Sequence, residues 1–331
     1  MELFELMKKL SASFGTSGCE TETADLLAEL AAPYVDEITR DVMGNLFCHK
    51  KGTGPRIMLA AHMDSIGFIV THIEEKGFLR VGMVGGVTPG RIRDSHVRFQ
   101  NGTHGVVVAD QGADPKSLTI SDLVIDIGAS SREEAETMVQ VGDTAVYEAP
   151  VVTMGKRMAG PYMDDRICCA TLLLAMERLQ ETDNDLWFVF TVQEEVGLRG
   201  AKTAAWTVDP DYGLAADVTI AGDEAGSKHN GSSTMGGGAA IKVMDGHVIA
   251  HPGMVQTLRK LAEEKKIPHQ MDVIRAGGTD AGEIHKTRSG VVTGAVSVPC
   301  RYTHTPVETV DTRDVEACAD LIAAFCAAKL D

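Results

Sequence analysis

Glu194 and Glu195 stand side by side at the end of an apolar run, residues 186–192, that is short and β-branched enough to form a buried strand. Two ionised carboxylates at the mouth of such a strand repel each other unless a cation lies beside them. Taken alone, an adjacent Glu pair is ordinarily a solvated helix start. Residues of matching chemistry occupy equivalent positions elsewhere. His62 and Asp64 follow the apolar run 56–61, Asp217 follows 212–216, His304 lies past 291–298, and Asp164 opens a helix between two strands. Each also has a structural reading, Asp164 and Asp64 as helix caps and His62 as a strand-end turn residue. Read together, two histidines and several carboxylates without a cysteine suit borderline or hard divalent cations, Zn²⁺, Co²⁺ or Mn²⁺. One ion needs at least three protein ligands and an open position, and two ions about 3.5–4 Å apart need a shared carboxylate. That inventory leaves one glutamate over, suited to be the general base of a metal-assisted hydrolysis. A carboxylate at Asp64 suits the task of fixing the His62 ring so that its other nitrogen faces a metal.

Such residues converge only if their strands share one open α/β sheet, in which sites form beyond the carboxyl ends of the strands. The patterning predicts this. Leu3, Phe4, Met7 and Leu10 fall at helical spacing, Gly15 to Gly18 form a turn, and a second helix over 22–32 ends at Pro33. Strands are expected at 36–39, 45–49, 56–61, 186–192, 212–216 and 291–298, with helices at 166–181, 201–206, 253–264 and 312–328, the last capped by Asp311. Between 68 and 150 the texture changes to short strands, at 68–73, 78–83, 96–99, 105–108, 123–127 and 143–147, with one helix opened by Ser131 and Glu134 as a capping box. This reads as a small β-barrel-like insert. The expected organisation is therefore a catalytic α/β domain built from 1–67 and 151–331, interrupted by a β-rich insert at 68–150. The Gly- and Ser-rich stretch 231–238 does not lead a strand into a helix and is expected to be a flexible connection, not a phosphate loop. His247 and His251 lack an intervening Glu and abut Pro252, which argues against a zincin helix. Gly277-Gly278-Thr279-Asp280 is a tight turn expected to bring Asp280 to the site as a substrate-binding residue.

The 331 residues carry 47 Asp plus Glu against 31 Lys plus Arg, a formal charge of −16. That balance argues against nucleic acid or an anionic membrane as the main partner. No apolar run approaches the roughly 20 residues that span a bilayer, and the first ten residues have neither the long apolar core nor the cleavage site of an export signal. Seven scattered Cys without a Cys-x-x-Cys motif suit reduced thiols. The expected location is the cytoplasm.

Six motifs then occur in order: Ala61-His62-Met63-Asp64, Met163-Asp164-Asp165-Arg166, Val192-Gln193-Glu194-Glu195-Val196-Gly197, Ala216-Asp217-Val218-Thr219, Gly277-Gly278-Thr279-Asp280 and Arg301-Tyr302-Thr303-His304. Together they resemble the dinuclear metallo-aminopeptidases of the glutamyl and leucyl aminopeptidase type, which include the tetrahedral TET peptidases, over nearly the whole chain. The resemblance implies an aminopeptidase-like α/β/α sandwich with a PDZ-like β-barrel insert. It implies two divalent metal ions per subunit, Zn²⁺ foremost with Co²⁺ or Mn²⁺ as alternatives, and short peptides with a free N-terminus as substrates. It also implies homo-oligomers, from dimers joined through the insert to hollow dodecamers. Carried over by motif, His62 and Asp217 would complete opposite metal sites and Asp164 would bridge them. Glu195 and His304 would take the remaining positions, in a pairing that the motifs leave open. Glu194 would be the base, Asp64 would orient His62, and the Asp164–Asp165 peptide would be cis. Many relatives carry Glu where this chain has Ser65, a departure expected to bear on the pocket for the first side chain. A deacylase or carboxypeptidase with the same metal centre, and a metal-stabilised scaffold, are the competing expectations. Glycoside hydrolysis is disfavoured, because adjacent carboxylates on one chain do not flank a sugar bond from two sides.

Overall fold

The structure, a computed structural model, describes residues 1–228 and 231–330. Four parallel strands form the centre of an eleven-stranded sheet, in the spatial order Asp185–Thr191, Arg56–His62, Tyr212–Ile220, Val292–Arg301. Antiparallel strands widen it on both sides. Leu46–Lys50 and Glu37–Arg40 lie beyond the first, while Glu308–Asp311, Arg157–Gly160 and Val152–Met154 lie beyond the last. Ala239–Met244 also pairs with Val292–Arg301 and carries His269–Val273 on its far side.

The central strands are continuously apolar because both faces of the sheet are covered. In Arg56–His62, the side chains of Ile57, Leu59 and Ala61 enter the large core beneath the helices Met163–Arg178 and Thr312–Cys326. The alternate residues Met58 and Ala60 pack on the opposite face against Ala201, Ala204 and Ala205 of the helix Arg199–Val208. These three layers make the α/β/α sandwich. Each fully buried Leu or Ile contributes roughly 1.5–3 kcal/mol, so the strands that end in the candidate site are also among the best anchored.

Six antiparallel strands, Gly67–Ile73, Leu79–Val84, Leu123–Asp126, His104–Ala109, His96–Phe99 and Thr144–Tyr147, close into a barrel. Closure leaves no free sheet edge, and the barrel has its own core around Phe68, Leu79, Phe99, Val107 and Ile125. It is tied to the sandwich where the Tyr162 hydroxyl donates to the Tyr147 carbonyl at 3.0 Å, the two rings stacking 6.1 Å apart. Tyr162 immediately precedes the helix that carries Asp164.

Several elements differ from expectation. The strands at Val152–Met154, Arg157–Gly160, Ala239–Met244, His269–Val273 and Glu308–Asp311 are short flanking strands of the sheet, without the long apolar runs of its centre. Tyr212–Ile220 continues past Asp217, which therefore lies inside a strand. The barrel helix is only Arg132–Glu136. Ser131 accepts the Glu134 N–H at 3.2 Å, but the Glu134 carboxylate accepts from Ser130 at 2.7 Å. The Gly-rich stretch after residue 230 is not a loose connection. Gly236 and Gly238 donate to the Asp314 carboxylate at 2.6 and 2.7 Å, and Thr234 donates to Gln270 at 2.9 Å. All seven cysteines are free, six of them buried, and among the described residues no helix is long and apolar enough to cross a membrane.

Candidate metal centre and active site

The four parallel strands end on one side of the sheet, and the acids and histidines converge there. His62 is the last residue of its strand and is buried. Its Nδ1 lies 3.1 Å from the Asp64 carbonyl and 3.4 Å from the Asp64 carboxylate. Those oxygens only accept, so Nδ1 carries the proton and the Nε2 lone pair faces the other way. There it meets Asp164 Oδ1 at 3.1 Å, Glu194 Oε2 at 3.8 Å and Asp217 Oδ1 at 3.9 Å. His304 repeats the arrangement. Its Nδ1 donates to the Gly86 carbonyl at 2.8 Å, leaving Nε2 3.3 Å from Glu195 Oε2 and 3.4 Å from Asp164 Oδ2. The two oxygens of Asp164 thus face two different imidazoles.

This geometry pairs the residues differently from the motif-based expectation. His62 and Asp217 lie in the same half of the site, not in opposite halves, and His304 and Glu195 form the other half, with Asp164 between. The reason is topological: His62 and Asp217 ride on adjacent parallel strands. The Asp164–Asp165 peptide is cis. Ligand-type atoms of His62, Asp164 and Glu195 lie within 4.8 Å of one another, as do those of His62, Asp165 and Asp217. Oε1 of Glu195 and both carboxylate oxygens of Asp165 are buried without a hydrogen-bond partner. Carboxylate oxygens of Asp164, Asp217 and Glu195 gathered around two imidazole nitrogens, beside buried carboxylate oxygens without a partner, form a donor set that fits divalent cations.

The electrostatics agree. Burial, then repulsion from Asp217, Glu195 and Asp280, pushes the Glu194 carboxyl well above the ordinary carboxylate range, against the pull of His62. Burial likewise raises Asp217, reinforced by Asp164 and Asp280. For Asp164, burial is outweighed by His304 and His62, which in the absence of a cation carry a second proton on Nε2 and donate it to the carboxylate, holding it low. Asp64 is also held low by His62 despite complete burial. Its carboxylate further accepts from Ser17 Oγ at 2.6 Å and from the backbone N–H groups of Glu194 at 2.9 Å and Glu195 at 3.2 Å. Asp64 therefore fixes both a histidine and the turn that presents the Glu pair.

Three features carry no motif in the sequence. Glu308, buried at the start of a strand paired on both sides, accepts the Asp164 N–H at 2.9 Å and the His304 N–H at 2.6 Å. Glu20 accepts the N–H groups of Gly18 at 2.7 Å and Gln193 at 3.2 Å on one oxygen, so it steadies Gln193, whose φ is +54°. Gly85 and Gly86 end the barrel's second strand against the site. A Cβ at Gly86 would lie 2.6 Å from His304 Nδ1, and one at Gly85 3.1 Å from Glu195 Cβ. Only glycine lets the barrel approach this closely. A Gly-Gly pair after a strand is the one signal of the three visible in sequence.

A cavity of about 460 Å³ opens over Asp164, Glu194, Glu195, Asp217 and His304, large enough for a short peptide end. Two expectations fail here. Asp280 does not line the cavity; its side chain points inward, where the Thr191 hydroxyl donates to it, and Gly277, Gly278 and Thr279 form the wall instead. Ser65 is buried too, donating to the Gly15 carbonyl at 3.1 Å away from the cavity, so it does not shape the pocket. His247 lines the wall while His251 caps a helix, which agrees with their not forming a zincin pair.

Comparison with known proteins places this arrangement in company. The family model described as M42 glutamyl aminopeptidase matches residues 44–321. A putative aminopeptidase of Acetivibrio thermocellus is 46% identical over 98% of this chain and 99% of its own. An aminopeptidase from the archaeon Desulfurococcus kamchatkensis is 42% identical, with a TM-score of 0.94 over 98% of this chain and 94% of its own. The TET1 peptidase of Pyrococcus horikoshii, described as able to assemble into a tetrahedron or a large octahedral shell, is 32% identical with a TM-score of 0.89 over 98% of this chain and 99% of its own.

Proposed function

The chain belongs to the M42 glutamyl aminopeptidase family, and from that premise we propose that it removes N-terminal residues from short peptides at a dinuclear metal centre with Glu194 as general base. The observation that carries the reading is Asp164, whose two oxygens face His62 at 3.1 Å and His304 at 3.4 Å. A carboxylate so placed is suited to bridge two cations. His62 and Asp217 would hold one and His304 and Glu195 the other. Zn²⁺ suits this donor set best, and Co²⁺ or Mn²⁺ fit it as well. Bound there, a pair of divalent cations supplies the Lewis acidity that polarises a carbonyl and makes water a usable nucleophile at neutral pH.

The chain's own residues do the rest. Glu194 is half-buried, lines the cavity and has a raised pKa, which suits a group that takes a proton from the attacking water and returns it to the leaving amine. Asp64 keeps the His62 ring and the Glu194 backbone in register. The concentration of carboxylates favours a substrate ammonium group over a blocked, neutral end. Homo-oligomers, from dimers to a dodecamer, are the assembly we expect, by similarity to the TET1 peptidase.

The test compares an aminoacyl anilide with its N-acetylated form. Cleavage of the free amine alone supports the aminopeptidase reading, while preferential cleavage of the acetylated compound would make the protein a deacylase of the same metal chemistry.

A further inference from the structure

Glu308 neither lines the cavity nor faces the His62–Asp217 half of the site. Its two carboxylate oxygens are divided between two backbone donors, Oε2 on Asp164 N–H and Oε1 on His304 N–H. Those residues are 140 positions apart in sequence, yet their side chains meet at 3.4 Å. Neither backbone is held by regular structure. Asp164 has φ −82° and ψ 103° inside a nominal helix, and His304 has φ +62° in a loop whose Tyr302 is also left-handed at +61°. His304, a non-glycine residue in the left-handed region, keeps that conformation only where its surroundings over-determine it, and Asp164 departs from the helix it opens without a helical hydrogen bond to hold it. Here the buried Glu308 side chain supplies that restraint, each of its two oxygens accepting one backbone N–H. His62 and Asp217 receive no hydrogen bond from it; they are positioned by their strands and by Asp64.

We propose that Glu308 is a positioning residue for one metal position above the other: it holds both His304 and the shared Asp164 on the His304–Glu195 side, but only Asp164 on the His62–Asp217 side. Without it the His304–Glu195 half loses its cation while the His62–Asp217 half still binds. The proposal deepens the two-cation reading above and rests on it. The chemistry of an amide makes the claim specific. A glutamine at this position has one oxygen to accept with, and its NH₂ group would face the other backbone N–H, donor against donor.

The experiment measures metal per chain by atomic emission after chelation, re-equilibration with limiting Zn²⁺ and desalting. It compares the parent, Glu308→Gln, Glu308→Asp and Asp314→Asn. Asp314 is the control, because its carboxylate also accepts two backbone N–H groups, from Gly236 and Gly238, but away from the site. The parent is expected to hold two ions and Asp314→Asn two, whatever its melting temperature. Glu308→Gln is expected to hold one, with the second restored only at about 10–100-fold higher free Zn²⁺. Should Glu308→Gln not fold, Glu308→Asp carries the same expectation, since the shorter side chain cannot span both donors. Retention of both ions at parental affinity would overturn the proposal, as would parallel loss of both. A parent that binds no ion would overturn the two-cation reading itself, an outcome distinct from either.

Discussion

Burial raises the proton affinity of Glu194, and the carboxylates of Asp217, Glu195 and Asp280 raise it further. The group therefore holds a proton more readily than an ordinary carboxylate, which suits one that takes a proton from water and passes it on. Glu194→Gln keeps the volume and removes that capacity. It is expected to lower kcat by about 10²–10⁴ with metal content unchanged, because the proposed reading makes Glu194 the base beside the cations and not one of the residues that hold them. Steady-state kinetics beside metal analysis checks this, and a kcat near the parental value would remove Glu194 from the role. At this scale the sequence was informative where a residue follows closely on an apolar run. His62, Glu194, Glu195 and Asp217 are all found that way. Glu308 and Glu20 were invisible, because their partners are backbone N–H groups of distant residues, and a lone Glu in a polar stretch looks like surface.

Glu20 also shows how one element holds another. It precedes the helix Thr21–Ala31 and reaches the Glu194 turn through the Gln193 N–H. Burial, opposed by those hydrogen bonds and reinforced by Asp64, raises its pKa from 4.5 to about 7. The folded state thus holds this proton more tightly than the unfolded state, so the group's contribution to stability is full below pH 4.5 and is lost as pH rises through 7. Both backbone bonds fall on one oxygen, which a glutamine amide can reproduce. Glu20→Gln is therefore expected to be more stable than the parent at pH 8, by on the order of 2 kcal/mol, with the gap closing by about pH 5. Denaturant midpoints at the two pH values decide it; an unchanged or reversed gap would contradict the account. The long central strands and helices were legible from apolar runs and helical spacing. Glu308–Asp311 was not, because half of it is acidic yet wholly buried, and only its neighbours in the sheet make that tolerable. Asp280 misled for a similar reason, since a turn next to a site does not reveal which way its side chain points.

The molecule as a whole is acidic, and its cavity is more so. Among the described residues no Lys or Arg lines it. Beyond the candidate metal and base residues, its apolar wall is Leu198, Val218, Ile220 and Ile274, accompanied by Thr219, Thr279 and Thr303, His247 and one further carboxylate, Glu283. Aliphatic walls accept an apolar side chain or the stem of a lysine, whereas an acidic side chain would be buried without a counter-charge. Leucyl, methionyl and lysyl anilides are expected to be cleaved with kcat/KM at least about tenfold above glutamyl and aspartyl ones, despite the glutamate in the family's description. A glutamyl substrate at the top of the panel would refute this reading of the wall. The central claim is that hydrolysis depends on cations held between His62, Asp164, Glu195, Asp217 and His304, and one titration tests it most directly. Zn²⁺, Co²⁺ or Mn²⁺ is returned stepwise to chelated protein while cleavage of leucyl anilide is followed. The account predicts no activity without metal and full recovery as two equivalents per chain are bound. Full activity in the metal-free protein, or metal binding without any recovery, would contradict it.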